Sequence, residues 1–420
     1  MQSIEGFDYF PLVFDRNGTM ESEEEFNPFI QRAVRWPATD TIIIAHGFRN
    51  DVDQATALYT NFLENVRAHL HRPEFGEVAS RRFVVAGVYW PSKAFRETFG
   101  EMAADGTRGF QNPTLAMADA RQQLEELKMG ATLAQRRSLD KAAALLPKLD
   151  GDTDAQDKFV DLVLSILSRS RLDATEGLPQ IKKQSGSELL AKLDGETAPG
   201  TRGFFGSIAG KVGQFLNLTT WYLMKDRSGT VGAKGVAPAV RTLRKNAPHI
   251  RVHLVGHSLG GRLMAACAKE LARRPQVHPD SLTLLEAAFS HYGFSADNGR
   301  GTAGFFRDVI EKQVVKGPFL STFSAEDTVV GKAYAISSRL ARDNSRDIGD
   351  AHDEFGGIGR NGALKTSEVA NWPLHKPGTT YEFAIGMINN LDGSGGMIRN
   401  HGDVTNAAVT YAFTAALART

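Results

Sequence analysis

One cysteine, Cys267, stands in a chain of 420 residues, which excludes an internal disulfide framework. It lies at helical spacing with Leu263 and Leu271, the setting of a buried core thiol rather than a reactive one. Long apolar runs are missing as well. None approaches the roughly 20 residues that span a bilayer. The opening residues, Met1 to Phe7, have neither a basic start nor an apolar stretch, so no cleaved secretion signal is expected. Cytoplasmic residence is the default expectation. No sign of charge dominates: 49 Lys and Arg against 48 Asp and Glu leave a formal net charge of +1. Nothing therefore pulls the chain as a whole toward nucleic acid.

Cofactor signatures are equally scarce. Gly356-Gly-Ile-Gly-Arg-Asn-Gly362 is glycine-rich but does not follow a strand and open a βαβ unit, so it is no dinucleotide loop. A loop at the rim of a site is the better reading. In Gly203-Phe-Phe-Gly-Ser-Ile-Ala-Gly-Lys211-Val212 the glycine spacing is wrong for a phosphate loop. Val212 also stands where Ser or Thr would bind Mg²⁺. No His, Cys and carboxylate cluster has metal-ligand spacing, and Asp392 and Asp403, though near glycines, match no EF-hand loop. Neither cofactor nor metal is expected.

What the chain does have is alternation. Thr41–Ala45 is a β-branched run fit for a strand buried on both faces of a parallel sheet. Phe7–Phe14 reads as a strand that Pro11 confines to an edge, and Arg82–Trp90 as another strand. Helices are expected over 53–69 and 219–246. Further strands are expected at Ile250–Val255, Ser281–Ala288, Pro318–Ser324 and Tyr381–Ile388, with a final helix over Val404–Arg419. Strands alternating with helices predict a mostly parallel, doubly wound α/β sheet. Residues 93–215 break the pattern. β-branched runs vanish there, and Phe159, Leu162, Val163, Ile166 and Leu167 recur at helical spacing. The organisation expected is a core of 1–92 and 216–420 with a helical cap inserted at 93–215. Phe204, Phe205, Ile208, Val212, Phe215 and Leu216 form an apolar stripe beside Trp221 and Tyr222. Packing is its simplest role, and lining an acyl pocket or meeting lipid is the alternative.

The most informative stretch is Gly256-His-Ser258-Leu-Gly260, between the apolar run Ile250–Val255 and the periodic segment Gly261–Leu271. Strand, sharp turn, helix, with a serine at the apex, is the form of a nucleophile elbow. A serine hydroxyl needs a base to take its proton and an acid to orient that base. In a doubly wound sheet these lie at the carboxyl ends of the strands, in the chain order serine, acid, histidine. Asp327, just past the 318–324 strand, fits the acid, with Glu326 as rival. His401 fits the base, standing after the last expected strand and before the final helix. His375 and His291 are its rivals, and His257 neighbours the serine but should point away from it. The backbone N–H groups of Leu259 and Phe48 are the expected oxyanion donors. His46 is expected to fix the loop that carries Phe48.

His46-Gly-Phe48, Gly256–Gly261, Ser324–Asp327 and Asn400–Asp403, in that order, resemble the α/β-hydrolase superfamily of lipases, esterases and related serine hydrolases. The resemblance covers residues 38–92 and 216–420. It implies an acyl-enzyme on Ser258, with His401 relaying protons under the control of Asp327. The single aromatic after His46-Gly47 is similar to the lipase and esterase branch. Tyr222–Gly232 and Glu354–Gly362 resemble a bacterial group of serine hydrolases without an assigned substrate. The expected substrate is a small-molecule carboxylic ester, including lipid-like ones. An amidase or peptidase would use the same machinery, and a non-catalytic binding protein could keep the fold.

Overall fold

Strand β3, Asp40–Ala45, is buried at every position because it lies between two cores. Ile43 and Ala45 face one, Ile42 and Ile44 the other. The same division runs through β4, Phe83–Tyr89, and β5, Arg251–His257, so these strands read as continuous apolar runs. The computed structural model describes residues 2–35, 38–92, 113–129, 131–167, 174–193, 207–273, 276–299, 301–341 and 350–420. The sheet is completed by β1 (Gln2–Ile4), β2 (Phe7–Val13), β6 (Ser281–Leu285), β7 (Phe319–Phe323), β8 (Val369–Pro373) and β9 (Ile388–Asp392). Its order is β1-β2-β4-β3-β5-β6-β7-β9-β8. Among the described residues, only β1 runs antiparallel to its neighbour. The molecule is thus an α/β protein whose described residues form a nine-stranded, mostly parallel sheet.

Helices cover both faces. Val52–Leu70, opened by a capping box between Asp51 and Gln54, packs with the final helix, Ala407–Leu417, through Phe62 and Phe413, 5.1 Å apart. On the other face lie the elbow helix, Leu259–Leu271, and a long rod that starts at Ile208. The rod runs through a π turn at Gly232–Val236 into Ala237–Asn246. It begins well before the expected 219 and passes through 215, so the insertion and the core share one helix. Among the described residues of 93–215 there are helices and no strand. The chief ones are Pro113–Lys128, Leu133–Leu145, Thr153–Leu164 and Gly186–Lys192. Their core residues Leu139, Phe159, Val163 and Leu189 are continuous with the sheet core. Val212, Phe215 and Leu216 of the apolar stripe are fully buried, with Phe215 6.3 Å from Phe159. That is packing. Phe204 and Phe205 lie outside the described residues.

A buried ion pair fastens the insertion to the core. Lys225 on the rod reaches the Glu176 carboxylate, which also accepts from the Tyr334 hydroxyl at 2.7 Å and the Ser290 N–H at 3.0 Å. All four residues are buried. Removing the cation strands a buried charge, so Lys225→Met should lower stability by about 3–5 kcal/mol. Denaturant unfolding measures this.

Several expected elements need correction. The last strand is Ile388–Asp392, not Tyr381–Ile388. Tyr381 and Phe383 alternate because their rings stack on each other at 4.8 Å, under Tyr411 of the final helix. The true strand carries two buried asparagines. Asn389 binds both the N–H and the carbonyl of Ala384, and Asn390 does the same with Ala363. The strand expected over Ser281–Ala288 stops at Leu285, where Glu286 takes φ 43°. β2 is not the edge strand expected, since β1 pairs beyond it; that pairing covers only Phe7–Tyr9, which leaves Pro11 without a ladder partner on that side. The helix Glu23–Arg35 and strand β8 were not expected.

Candidate active site

Ser258 joins β5 to the elbow helix with φ 57° and ψ −123°, a backbone that costs a non-glycine residue about 1–3 kcal/mol. The turn is held by bonds to the end of β6. The Ser258 N–H donates to Leu285 O at 3.0 Å, and its carbonyl accepts from Ala288 N at 3.0 Å. Serine at the head of a helix ordinarily caps it, yet this side chain makes no capping bond. Close packing makes the turn possible. A β-carbon on Gly260 would lie 2.3 Å from Ala45 O and 2.5 Å from His46 O. Gly260→Ala should therefore part the elbow from β3 and cost about 3 kcal/mol or more, read as a fall in melting temperature.

Asp327 lies just past β7 and is fully buried. One oxygen accepts from Val329 and Val330 N–H at 3.1 and 2.9 Å, capping the helix Thr328–Ala341. The other meets His401 Nδ1 at 2.8 Å. Burial pushes its pKa up, but the His401 charge and hydrogen bond, with the Val330 N–H, hold it below the usual aspartate value. The rival Glu326 is otherwise engaged. It accepts from the Ser324 hydroxyl at 2.6 Å and from Gly395 N–H at 3.0 Å, stapling the glycine-rich loop after β9.

His401 is reached from the serine side through His257. The two rings lie 4.8 Å apart, and His257 Nε2 bonds the His401 carbonyl at 2.8 Å. Burial, then the neighbouring His401, push the His257 pKa down to about 3. A neutral ring with Nε2–H donating to that carbonyl holds the His401 backbone beside the elbow. The rival histidines are placed elsewhere. His291 is buried against Tyr292 and bonds the Asn361 side chain at 3.1 Å. His375 follows β8, with its ring against Tyr381.

The His46-Gly47-Phe48 loop abuts the serine, since a β-carbon on Gly47 would lie 2.7 Å from Ser258 Cβ. His46 fixes this loop as expected. Its Nε2 accepts from Trp90 N–H at 3.3 Å, which leaves Nδ1–H to donate to Gly47 O at 3.0 Å. Its ring stacks on Trp90. Burial pushes its pKa down to about 4. Phe48 packs edge-on to Trp221 of the rod, and Leu259 occupies the first position of the elbow helix.

Two features escaped the sequence reading. Most of Gly356–Gly362, expected as a loop at the rim of a site, is buried. Gly359 N–H donates to Ala287 O, and Gly359 O accepts from Ser324 N–H, both at 3.0 Å, so the loop threads between the ends of β6 and β7. Glu286, at the end of β6, is fully buried with its carboxyl against Asp327. Its signal was a lone acid closing the apolar run Leu282-Thr-Leu-Leu285. Cys267 is buried in the elbow helix, and burial pushes its thiol pKa well up. Asp403 pairs with Arg399 at 2.7 Å. Among the described residues no three His, Cys, Asp or Glu side chains are grouped to hold a metal ion, and no helix is long and apolar enough to cross a membrane. Compared with known proteins, the chain matches no family profile, no curated sequence and no solved structure.

Proposed function

We propose that this chain is a serine hydrolase of the α/β-hydrolase kind, cleaving carboxylic esters through an acyl-enzyme on Ser258. One observation carries the reading. The strained, uncapped Ser258 follows β5, while a bonded Asp327–His401 pair stands past the ends of β7 and β9, with the His401 ring 4.8 Å from that of His257, the residue before the serine. With Nδ1 of His401 engaged by Asp327, Nε2 is the atom left to accept the Ser258 proton. Ser258 Oγ then attacks the carbonyl carbon, and the oxyanion forms against the N–H groups of Leu259 and Phe48. Collapse expels the alcohol, which takes the proton from His401. Water, deprotonated by His401, releases the acid and restores Ser258. No cofactor or metal enters these steps. The test is hydrolysis of a short-to-long ester series by the purified protein, with matched amides alongside. Saturable ester turnover that His401→Gln lacks supports the reading. A folded protein that turns over no ester in the series contradicts it.

A further inference from the structure

Two carboxyl groups lie against each other past the ends of β6 and β7, and both are inaccessible to water. Asp327 is supplied with donors: His401 Nδ1 and two backbone N–H groups. Glu286 is not. Among the described residues no donor forms a well-shaped hydrogen bond to either of its oxygens. Its polar neighbours are the Asp327 carboxyl and the Thr322 hydroxyl. An ionised glutamate here would be buried, poorly solvated and in contact with a second negative charge, three circumstances that each favour the acid form. A protonated one has a single hydrogen to donate and an acceptor in place. We infer that Glu286 is a positioning residue, held as the neutral acid, that donates its hydrogen to Asp327 so that the buried pair carries one negative charge.

The backbone is built for this contact. Glu286 leaves β6 at φ 43°, and its N–H is anchored on Thr322 Oγ1 at 3.1 Å. A β-carbon on Gly359 would lie 2.5 Å from the Glu286 backbone carbon, so the glycine loop closes over it. Burial, then the Asp327 charge, push the Glu286 pKa well up, while Asp327 is held low. Both directions place the proton on Glu286. The titratable groups around it are Asp327 at the end of β7, Asp392 at the end of β9, and His401 beyond Asp327. The Arg360 guanidinium bonds the Asp327 carbonyl at 3.2 Å. The donated hydrogen completes the acceptor set of Asp327 and keeps its second oxygen turned toward His401.

The catalytic part of this inference rests on the serine-hydrolase reading; the protonation state does not. Glu286→Gln keeps a neutral donor of the same shape. It should hold kcat within about 3-fold and leave the acid limb of the kcat/KM pH profile in place. Glu286→Leu removes the donor and should lower kcat about 10–100-fold, the cost of losing a group that orients a catalytic ligand, with KM little changed. Its acid limb should move to higher pH, because a less stabilised Asp327 charge favours protonated His401. If Glu286 were ionised in the wild type, Glu286→Gln would remove a negative charge near His401 and move the acid limb to lower pH. That result would overturn the proposal.

Two readouts need no activity. Infrared difference spectra of the wild type at neutral pH should show the carbonyl stretch of a buried protonated carboxyl, absent in Glu286→Gln. Its absence from the wild type would also overturn the proposal. In addition, the folded state keeps a proton that the unfolded chain releases above the ordinary glutamate value of 4.5. Stability from this group therefore falls as pH rises from that value. The melting temperature of Glu286→Gln should gain on that of the wild type across that range. An inactive wild type that still shows the infrared band and this trend would sink the hydrolase reading alone.

Discussion

Replacing Ser258 by alanine is expected to reduce ester turnover by about 10⁴–10⁶-fold, as removal of the nucleophile does in other triads, without unfolding the protein. The two halves of that expectation have separate grounds. Activity falls because no other hydroxyl stands in the strained turn beside the His257 and His401 rings, and the remaining oxyanion donors give only residual acceleration. Stability holds because the serine side chain contributes no helix cap. Alanine would inherit the same φ of 57°, so the turn is no more strained than before. Steady-state kinetics and a melting curve on the same preparation check both. A variant that keeps activity within about 10-fold would place the nucleophile elsewhere.

Asp327→Asn should be nearly as damaging, with kcat down by about 10³–10⁴-fold. An asparagine amide at this position presents N–H₂ or C=O to His401 Nδ1. With N–H₂ toward the ring, Nδ1 becomes the acceptor and Nε2 carries the hydrogen, the wrong tautomer to receive a proton from Ser258. The variant also takes away the charge that stabilises imidazolium in the transition state. The pH dependence follows from the same pair. Asp327 sits below its ordinary value of 3.8, so its contribution to stability is present above that value and is lost only as pH falls through the lower folded value. Asp327 therefore stays ionised at every pH above 3.8, and a loss of activity in that range does not come from its own protonation. Glu326→Gln, which touches only the loop bonds to Ser324 and Gly395, should change kcat by less than about 5-fold. If it proves worse than Asp327→Asn, the acid has been misassigned.

The parts of this site legible in the sequence are those written locally or by chain order. The elbow shows itself in Gly256–Gly260 because the two flanking residues must be small, and an apolar strand and an amphipathic helix border it. Asp327 and His401 are reachable because parallel sheets collect chemistry at strand ends, and Asp327 lies just past β7 while His401 follows β9. The strand before His401 was misplaced for a physical reason. Hydrophobic alternation marks Tyr381 and Phe383, but these rings pack as a loop, while the strand core is closed by amide pairs on Asn389 and Asn390 that no polarity pattern reveals. The start of the helix Glu23–Arg35 shows the capping-box spacing in Ser22 and Glu25, although the Ser22 hydroxyl accepts from the Val13 N–H at 2.8 Å. Glu286 and the Lys225–Glu176 pair are different. Each draws its meaning from a residue far away in the chain, at Asp327 and at Tyr334 and Ser290, and a linear reading cannot bring those groups together.

The central claim is that Ser258 is an activated nucleophile, and covalent labelling tests it without knowledge of the substrate. Wild-type protein and Ser258→Ala would be treated with a fluorophosphonate and weighed intact. The account predicts one adduct on the wild type, mapped to the peptide that carries Ser258, and none on the variant. A well-folded wild type that takes up no label, or a Ser258→Ala protein that labels equally, would contradict it.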